Sequence, residues 1–116
     1  MGHILVIDDE LYIRAIISKI LTSFGYEVDV AENGEKGIKL FDEIGNFDLV
    51  ISDIRMPKMD GNEVARHVRN SDKSDTPLIA MTGFIEELQV EIFDGFLSKP
   101  FNIRDLSHMV GLFLKP

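Results

Sequence analysis

The stretch Ile4-Leu5-Val6-Ile7-Asp8-Asp9-Glu10 decides the fold. Four consecutive apolar residues, mostly β-branched, read as a strand buried on both faces, and such strands belong to parallel sheets covered by helices on either side. The abrupt change to three acids marks the carboxyl end of that strand. In open α/β sheets this is the edge outside which ligands bind.

The residues that follow repeat the alternation of strand and helix. Across residues 11–24, Ile13, Ile16, Ile17, Ile20 and Phe24 fall at three- and four-residue spacing, and Gly25 stops the helix as its C-terminal cap. Residues 27–31 alternate as a short strand near a sheet edge, and residues 34–44 place Ile38, Phe41 and Ile44 on one helical stripe before Gly45. Asp48-Leu49-Val50-Ile51-Ser52 is a third apolar run, ending at Asp53 and followed by a loop with Pro57 and the turn Asp60-Gly61. Asn62 reads as the N-cap of a third helix carrying Val64, Ala65 and Val68. After the polar linker 71–76, Pro77 opens the run Leu78-Ile79-Ala80-Met81, which stops at Thr82-Gly83. A weaker helical pattern over 85–93 is closed by Gly95, and Phe96-Leu97-Ser98 forms a minimal fifth strand. Asn102 and Asp105 then make a capping box for a last helix with Leu106, Met109, Val110 and Phe113 on its buried stripe.

Five strand-then-helix units in a row predict a doubly wound α/β sandwich with a parallel sheet and right-handed crossovers. At 116 residues the chain is long enough to bury a core but short for two domains, so residues 1–116 are expected to form one unit. Hydrophobic residues at 45% and charged residues at 28% exclude the disordered, collagenous and membrane classes. Twenty acids against twelve bases leave a net charge of -8, the wrong sign for binding nucleic acid through its phosphates. With no cysteine there is no disulfide, thiolate zinc site, iron–sulfur cluster or cysteine nucleophile. The first residues lack the basic region of a signal peptide and no apolar run approaches a membrane span. A cytoplasmic location with no membrane partner is therefore the expectation.

The strand ends are unusually polar: Asp8 and Asp9 after the first, Asp53 after the third, Thr82 after the fourth, and Lys99-Pro100 after the fifth. Three carboxylates gathered at one edge repel one another unless a cation lies between them. Hard oxygen ligands without histidine or cysteine suit Mg²⁺. His3, His67 and His108 fall at no metal-ligand spacing.

In this order, and at these strand ends, the acidic pair Asp8-Asp9, Asp53 in Ser-Asp-Ile-Arg-Met-Pro, Gly61, Thr82 in Met-Thr-Gly and Lys99 in Ser-Lys-Pro-Phe are very specific together. The chain resembles the receiver domain of two-component response regulators along essentially its whole length. That resemblance implies a flavodoxin-like (βα)5 sandwich with strand order 2-1-3-4-5. It implies Asp53 as phosphoacceptor, Asp9 as a direct Mg²⁺ ligand, Asp8 as a ligand through water, and the backbone carbonyl of Arg55 as a further ligand. Lys99 and Thr82 would contact the phosphoryl group, and Thr82 and Phe96 would shift together as the switch. The implied partners are a sensor histidine kinase or phosphotransfer protein as donor and a downstream protein or domain as output. Such a domain is not a conventional enzyme, but it catalyses its own Mg²⁺-dependent phosphorylation and dephosphorylation.

Elementary chemistry supports those roles. A carboxylate attacks a phosphoryl group only when the negative charge of both partners is offset, which a metal and a lysine ammonium achieve. Singly, Asp8 and Asp9 could be an N-cap and a first-turn acid, Thr82 a turn hydroxyl and Phe96 core; jointly these readings become improbable. A glycine-rich phosphate loop is absent, which disfavours a nucleotide-binding enzyme. The competing reading is a protein-interaction module of the same fold that acts independently of phosphorylation.

Thr82 and Lys99 stand 17 positions apart. This is fewer than in the resembled family, with a deficit of about a turn and a half of helix. The fourth helix is therefore expected to be shortened or irregular, with an unusual path over 84–94 and an altered output surface. Arg55 and Phe84, each two positions beyond a site residue, are expected to hinder the water that hydrolyses the acyl phosphate.

Overall fold

The first apolar run lies inside the sheet, with a strand paired on either side. The computed structural model describes residues 2–84 and 89–114. In it β1 (His3–Ile7), β2 (Glu27–Ala31), β3 (Leu49–Asp53), β4 (Leu78–Thr82) and β5 (Gly95–Ser98) form a five-stranded sheet in the order β2-β1-β3-β4-β5. All pairings are parallel, with His3 opposite Glu27, Ile4 opposite Leu49, Val50 opposite Leu78 and Ile79 opposite Gly95. The doubly wound parallel sandwich expected from the sequence is the observed architecture.

Alternation along β1 divides the core between two layers, because successive side chains point to opposite faces of a strand. Ile4 and Val6 pack with Ile17, Leu21, Ile51, Met81, Leu106 and Val110, which places α1 (Leu11–Ser23) and α4 (Ile103–Gly111) on one face. Leu5 and Ile7 pack with Phe41, Val50, Val64, Val68 and Leu78, which places α2 (Gly34–Ile44) and α3 (Gly61–Arg69) on the other. The carboxyl ends of β1, β3, β4 and β5 are thereby brought to one open edge.

Several boundaries differ from the sequence reading for identifiable reasons. The α1 face that docks is formed by Ile17 and Leu21 with Ile13 and Ile20 beside them, so Ile16 is 52% exposed and Phe24 lies at the helix end, 38% exposed. Ile44 likewise points outward from the last turn of α2, which Gly45 ends in a left-handed conformation at φ 79°. The N-cap of α3 is Asp60 rather than Asn62. Asp60 and Glu63 form a reciprocal capping box that satisfies two free N–H groups, and Asn62 is buried inside the first turn. Asp53 is the last residue of β3 itself. The capping box predicted for α4 at Asn102 and Asp105 is present. Among the described residues between β4 and β5 there is a 3-10 turn at Val90–Ile92 and no α-helix; residues 85–88 of the expected helix lie outside the described residues.

Candidate functional site

Asp8 follows β1 directly, is fully buried, and uses both carboxylate oxygens. Oδ1 accepts the Glu10 N–H at 2.8 Å and Oδ2 accepts from Lys99 Nζ at 2.9 Å. Arg14, one turn into α1, donates to the Asp8 carbonyl at 2.8 Å and so fixes the loop that carries the acidic pair. Lys99 arrives from the end of β5, its own N–H bonded to the Thr82 carbonyl at 2.9 Å. Its Nζ stands 3.2 Å from Asp53 Oδ2 and 3.8 Å from Glu10 Oε1. One ammonium thus ties together strand ends that are far apart in sequence.

Asp53 is 5% exposed, and its Oδ1 accepts the Ile54 N–H at 2.9 Å. Burial, and then the neighbouring Asp8 carboxylate, push its pKa up to about 6, while Lys99 and the Ile54 N–H hold it from rising further. Burial works against the charge on Lys99, but its hydrogen bond to Asp8 and the charge of Asp53 outweigh that and raise its pKa. The loop after Asp53 folds back so tightly that a Cβ on Gly61 would lie 2.2 Å from the Asp53 carbonyl oxygen. Glycine at 61 is a requirement of this close approach, and the Gly61 N–H to Ile54 carbonyl bond at 2.9 Å holds the loop closed.

Asp8, Asp9 and Glu10 offer carboxylate oxygens within 4.8 Å of one another, Asp8 buried and the other two exposed. Asp53 is tied to this group through Lys99. The donor set is all hard oxygen, the chemistry that suits Mg²⁺, and burial together with the Asp8 carboxylate keeps the Asp53 pKa raised even with Lys99 beside it. Glu10 was missed as a site residue: it stood in the sequence as the third acid after the apolar run, and only its position beside Asp8, Asp9 and Lys99 sets it apart.

Thr82 is 3% exposed, and its Oγ1 accepts the Phe84 N–H at 2.8 Å. The Arg55 guanidinium lies 3.7 Å over the Phe84 ring, a cation–π contact that joins the loops after β3 and β4. Phe96 sits on β5 opposite Ala80 and is 41% exposed, so the aromatic of the expected switch pair faces outward. Among the described residues, Asp8, Asp53 and Lys99 are brought into direct contact, Asp9 and Glu10 flank them, and Thr82 joins through the Lys99 backbone. Phe96 lies apart from this group.

Residues 4–111 match the family model of the response regulator receiver domain. The transcriptional regulatory protein ResD of Bacillus subtilis is 38% identical over 97% of this chain and 48% of its own length. The response regulator TrrA of Thermotoga maritima, solved in complex with Mg²⁺ and beryllofluoride, is 41% identical with a TM-score of 0.89 over 98% of this chain and all of that one. The chemotaxis protein CheY4 of Vibrio cholerae aligns with a TM-score of 0.89 at 32% identity over 98% of this chain and 99% of that one. The chain belongs to the response regulator receiver domain family. It spans about half the length, or less, of the curated relatives it matches first. Among the described residues no helix is long and apolar enough to cross a membrane.

Proposed function

We propose that this receiver domain accepts a phosphoryl group on Asp53 from the phosphohistidine of a sensor histidine kinase or phosphotransfer protein, and passes the change to an output partner on the cytoplasmic side. The observation that carries the reading is Lys99 held between Asp8 and Asp53 at 2.9 and 3.2 Å, at the edge where the strands end. An Asp53 carboxylate oxygen forms the new bond to phosphorus as the phosphorus–nitrogen bond of the donor breaks, and the donor imidazole leaves with the electron pair. The charge that builds on the phosphoryl oxygens is met by Lys99, already positioned and charged, so little reorganisation is needed when the bond changes hands.

Asp9, Asp8 and the Arg55 backbone carbonyl would hold Mg²⁺ together with Asp53, Glu10 standing close enough to bind through water. When bound, the ion offsets the repulsion between the Asp53 carboxylate and the incoming phosphoryl oxygens. The Thr82 hydroxyl, whose oxygen accepts the Phe84 N–H, would donate its own hydrogen to a phosphoryl oxygen, and that new bond would begin the conformational change.

The test is incubation with Mg²⁺ and a small phosphodonor followed by intact-mass measurement. The wild type gains one phosphoryl group, and the gain is lost in Asp53→Ala and when Mg²⁺ is chelated. A wild type that stays unmodified under conditions where a known receiver is labelled would instead favour an interaction module that works without phosphorylation.

A further inference from the structure

Residues 89–94 lead into β5, and one stripe of α3 holds them. Asn62, Arg66 and Arg69 lie four and three positions apart, on one side of the helix. Asn62 Oδ1 accepts the Gln89 N–H at 3.0 Å and Arg66 donates to Gln89 Oε1 at 2.7 Å. Arg69 uses four of its five N–H donors. Nε bonds the Ile92 carbonyl, Nη1 the carbonyls of Ser74 and Thr76, and Nη2 the Asp94 carboxylate at 2.7 Å. The same Asp94 oxygen accepts the Leu78 N–H at 2.8 Å. Arg69 and Asp94 therefore pin the starts of both β4 and β5 to α3.

At its other end β5 runs directly into Lys99, which is held by Asp8 and Asp53. The strand is four residues long, a stiff link of about 13 Å between two ion pairs. Building on the receiver reading above, we infer that β5 couples them: the Arg69–Asp94 pair is a latch that opens when Asp53 is phosphorylated, so that residues 89–94 are released from α3. Phosphoryl oxygens stand farther out than the carboxylate oxygens they replace. Lys99 follows them, β5 is drawn toward the open edge of the sheet, and Asp94 is pulled from Arg69 and from the Leu78 N–H. Latch closed, as seen here, and latch open would be the two discrete arrangements that coupling between distant sites requires.

The Leu78 amide is a direct reporter, because its acceptor is the Asp94 side chain rather than a neighbouring strand. Hydrogen exchange at Leu78 is measured by NMR with Mg²⁺ alone and with Mg²⁺ and beryllofluoride, the phosphoryl mimic. The expected result is an increase in Leu78 exchange on the order of fivefold or more, together with shifts of the Ile54 and Thr82 amides at the site. Coupling is reciprocal, so Asp94→Asn, which keeps an acceptor for Leu78 but loses the ion pair, binds beryllofluoride more tightly by a similar factor. Ile54 and Thr82 responding while Leu78 and the Asp94→Asn affinity stay unchanged would overturn the latch and leave the receiver reading intact. Silence at Ile54, Thr82 and Leu78 alike would overturn both.

Discussion

Burial and the neighbouring Asp8 carboxylate push the Asp53 pKa up to about 6, from the 3.8 of a freely exposed aspartate. A carboxyl whose pKa is raised by folding binds its proton more tightly in the native state, so stability is highest below the unfolded pKa and falls as pH rises from about 4 to about 6. The loss from this one group is about 3 kcal/mol for a shift of that size. Chemical denaturation across pH 4 to 8 in the presence of a chelator should show this decline, and Asp53→Asn should flatten it and leave the variant more stable than wild type at pH 8. Arg55 and Phe84 make a second prediction at the same scale. Their side chains stack on each other between the loops after β3 and β4, so if they hinder water they do so as one unit. Acyl-phosphate decay should quicken severalfold in Arg55→Ala and in Phe84→Ala, and the double variant should decay no faster than the quicker single one.

Two glycines decide how closely the elements approach. A Cβ on Gly37 would meet Ile7 Cδ1 at 2.3 Å, which is why α2 can lie directly on β1, and one on Gly61 would meet the Asp53 carbonyl oxygen at 2.2 Å. Ile7 can shift its side chain, whereas a strand carbonyl cannot move without moving Asp53. Gly61→Ala should therefore cost about 2 kcal/mol in unfolding free energy. It should also slow phosphorylation from a small donor, while Gly37→Ala should lower stability with much less effect on the phosphorylation rate. The strands were legible in the sequence because a buried parallel strand is an unbroken apolar run, and runs such as residues 4–7 and 78–81 are too short for a buried helix and rich in strand formers. The helix faces were less so. Ile16 and Ile44 fit the apolar spacing of their helices yet point to solvent, since the docked stripe is narrower than the stripe the sequence offers. The start of α3 was misplaced by two residues because Asp60, Gly61 and Asn62 can all begin a helix, and only the reciprocal bonds with Glu63 choose between them.

For the molecule as a whole, a ligand that binds only the native state adds stability in proportion to the logarithm of its concentration, about 2.7 kcal/mol at a hundred times the dissociation constant. Mg²⁺ at millimolar concentration should raise the melting temperature at pH 8, and Asp9→Asn should abolish the rise while melting close to the chelated wild type, because Asp9 is exposed and not part of the core. The site residues were readable because a strand order with β1 and β3 side by side brings their ends together, so acids at both ends become neighbours. Arg69 was not readable. An arginine at the end of a helix, before a polar linker, has the pattern of a solvated residue, and its partners at Ile92 and Asp94 lie 23 and 25 positions away, where no periodicity connects them.

Lys99 joins Asp8 across 91 positions of sequence. On the ribosome this separation becomes an interval of time. The acids at the ends of β1 and β3 are synthesised long before the ammonium that pairs with them, and until β5 has emerged Asp8 and Asp53 face each other with that counter-charge missing. Closure of the site thereby waits on β5, and a chain halted before residue 99 would carry the two acids without the lysine they share.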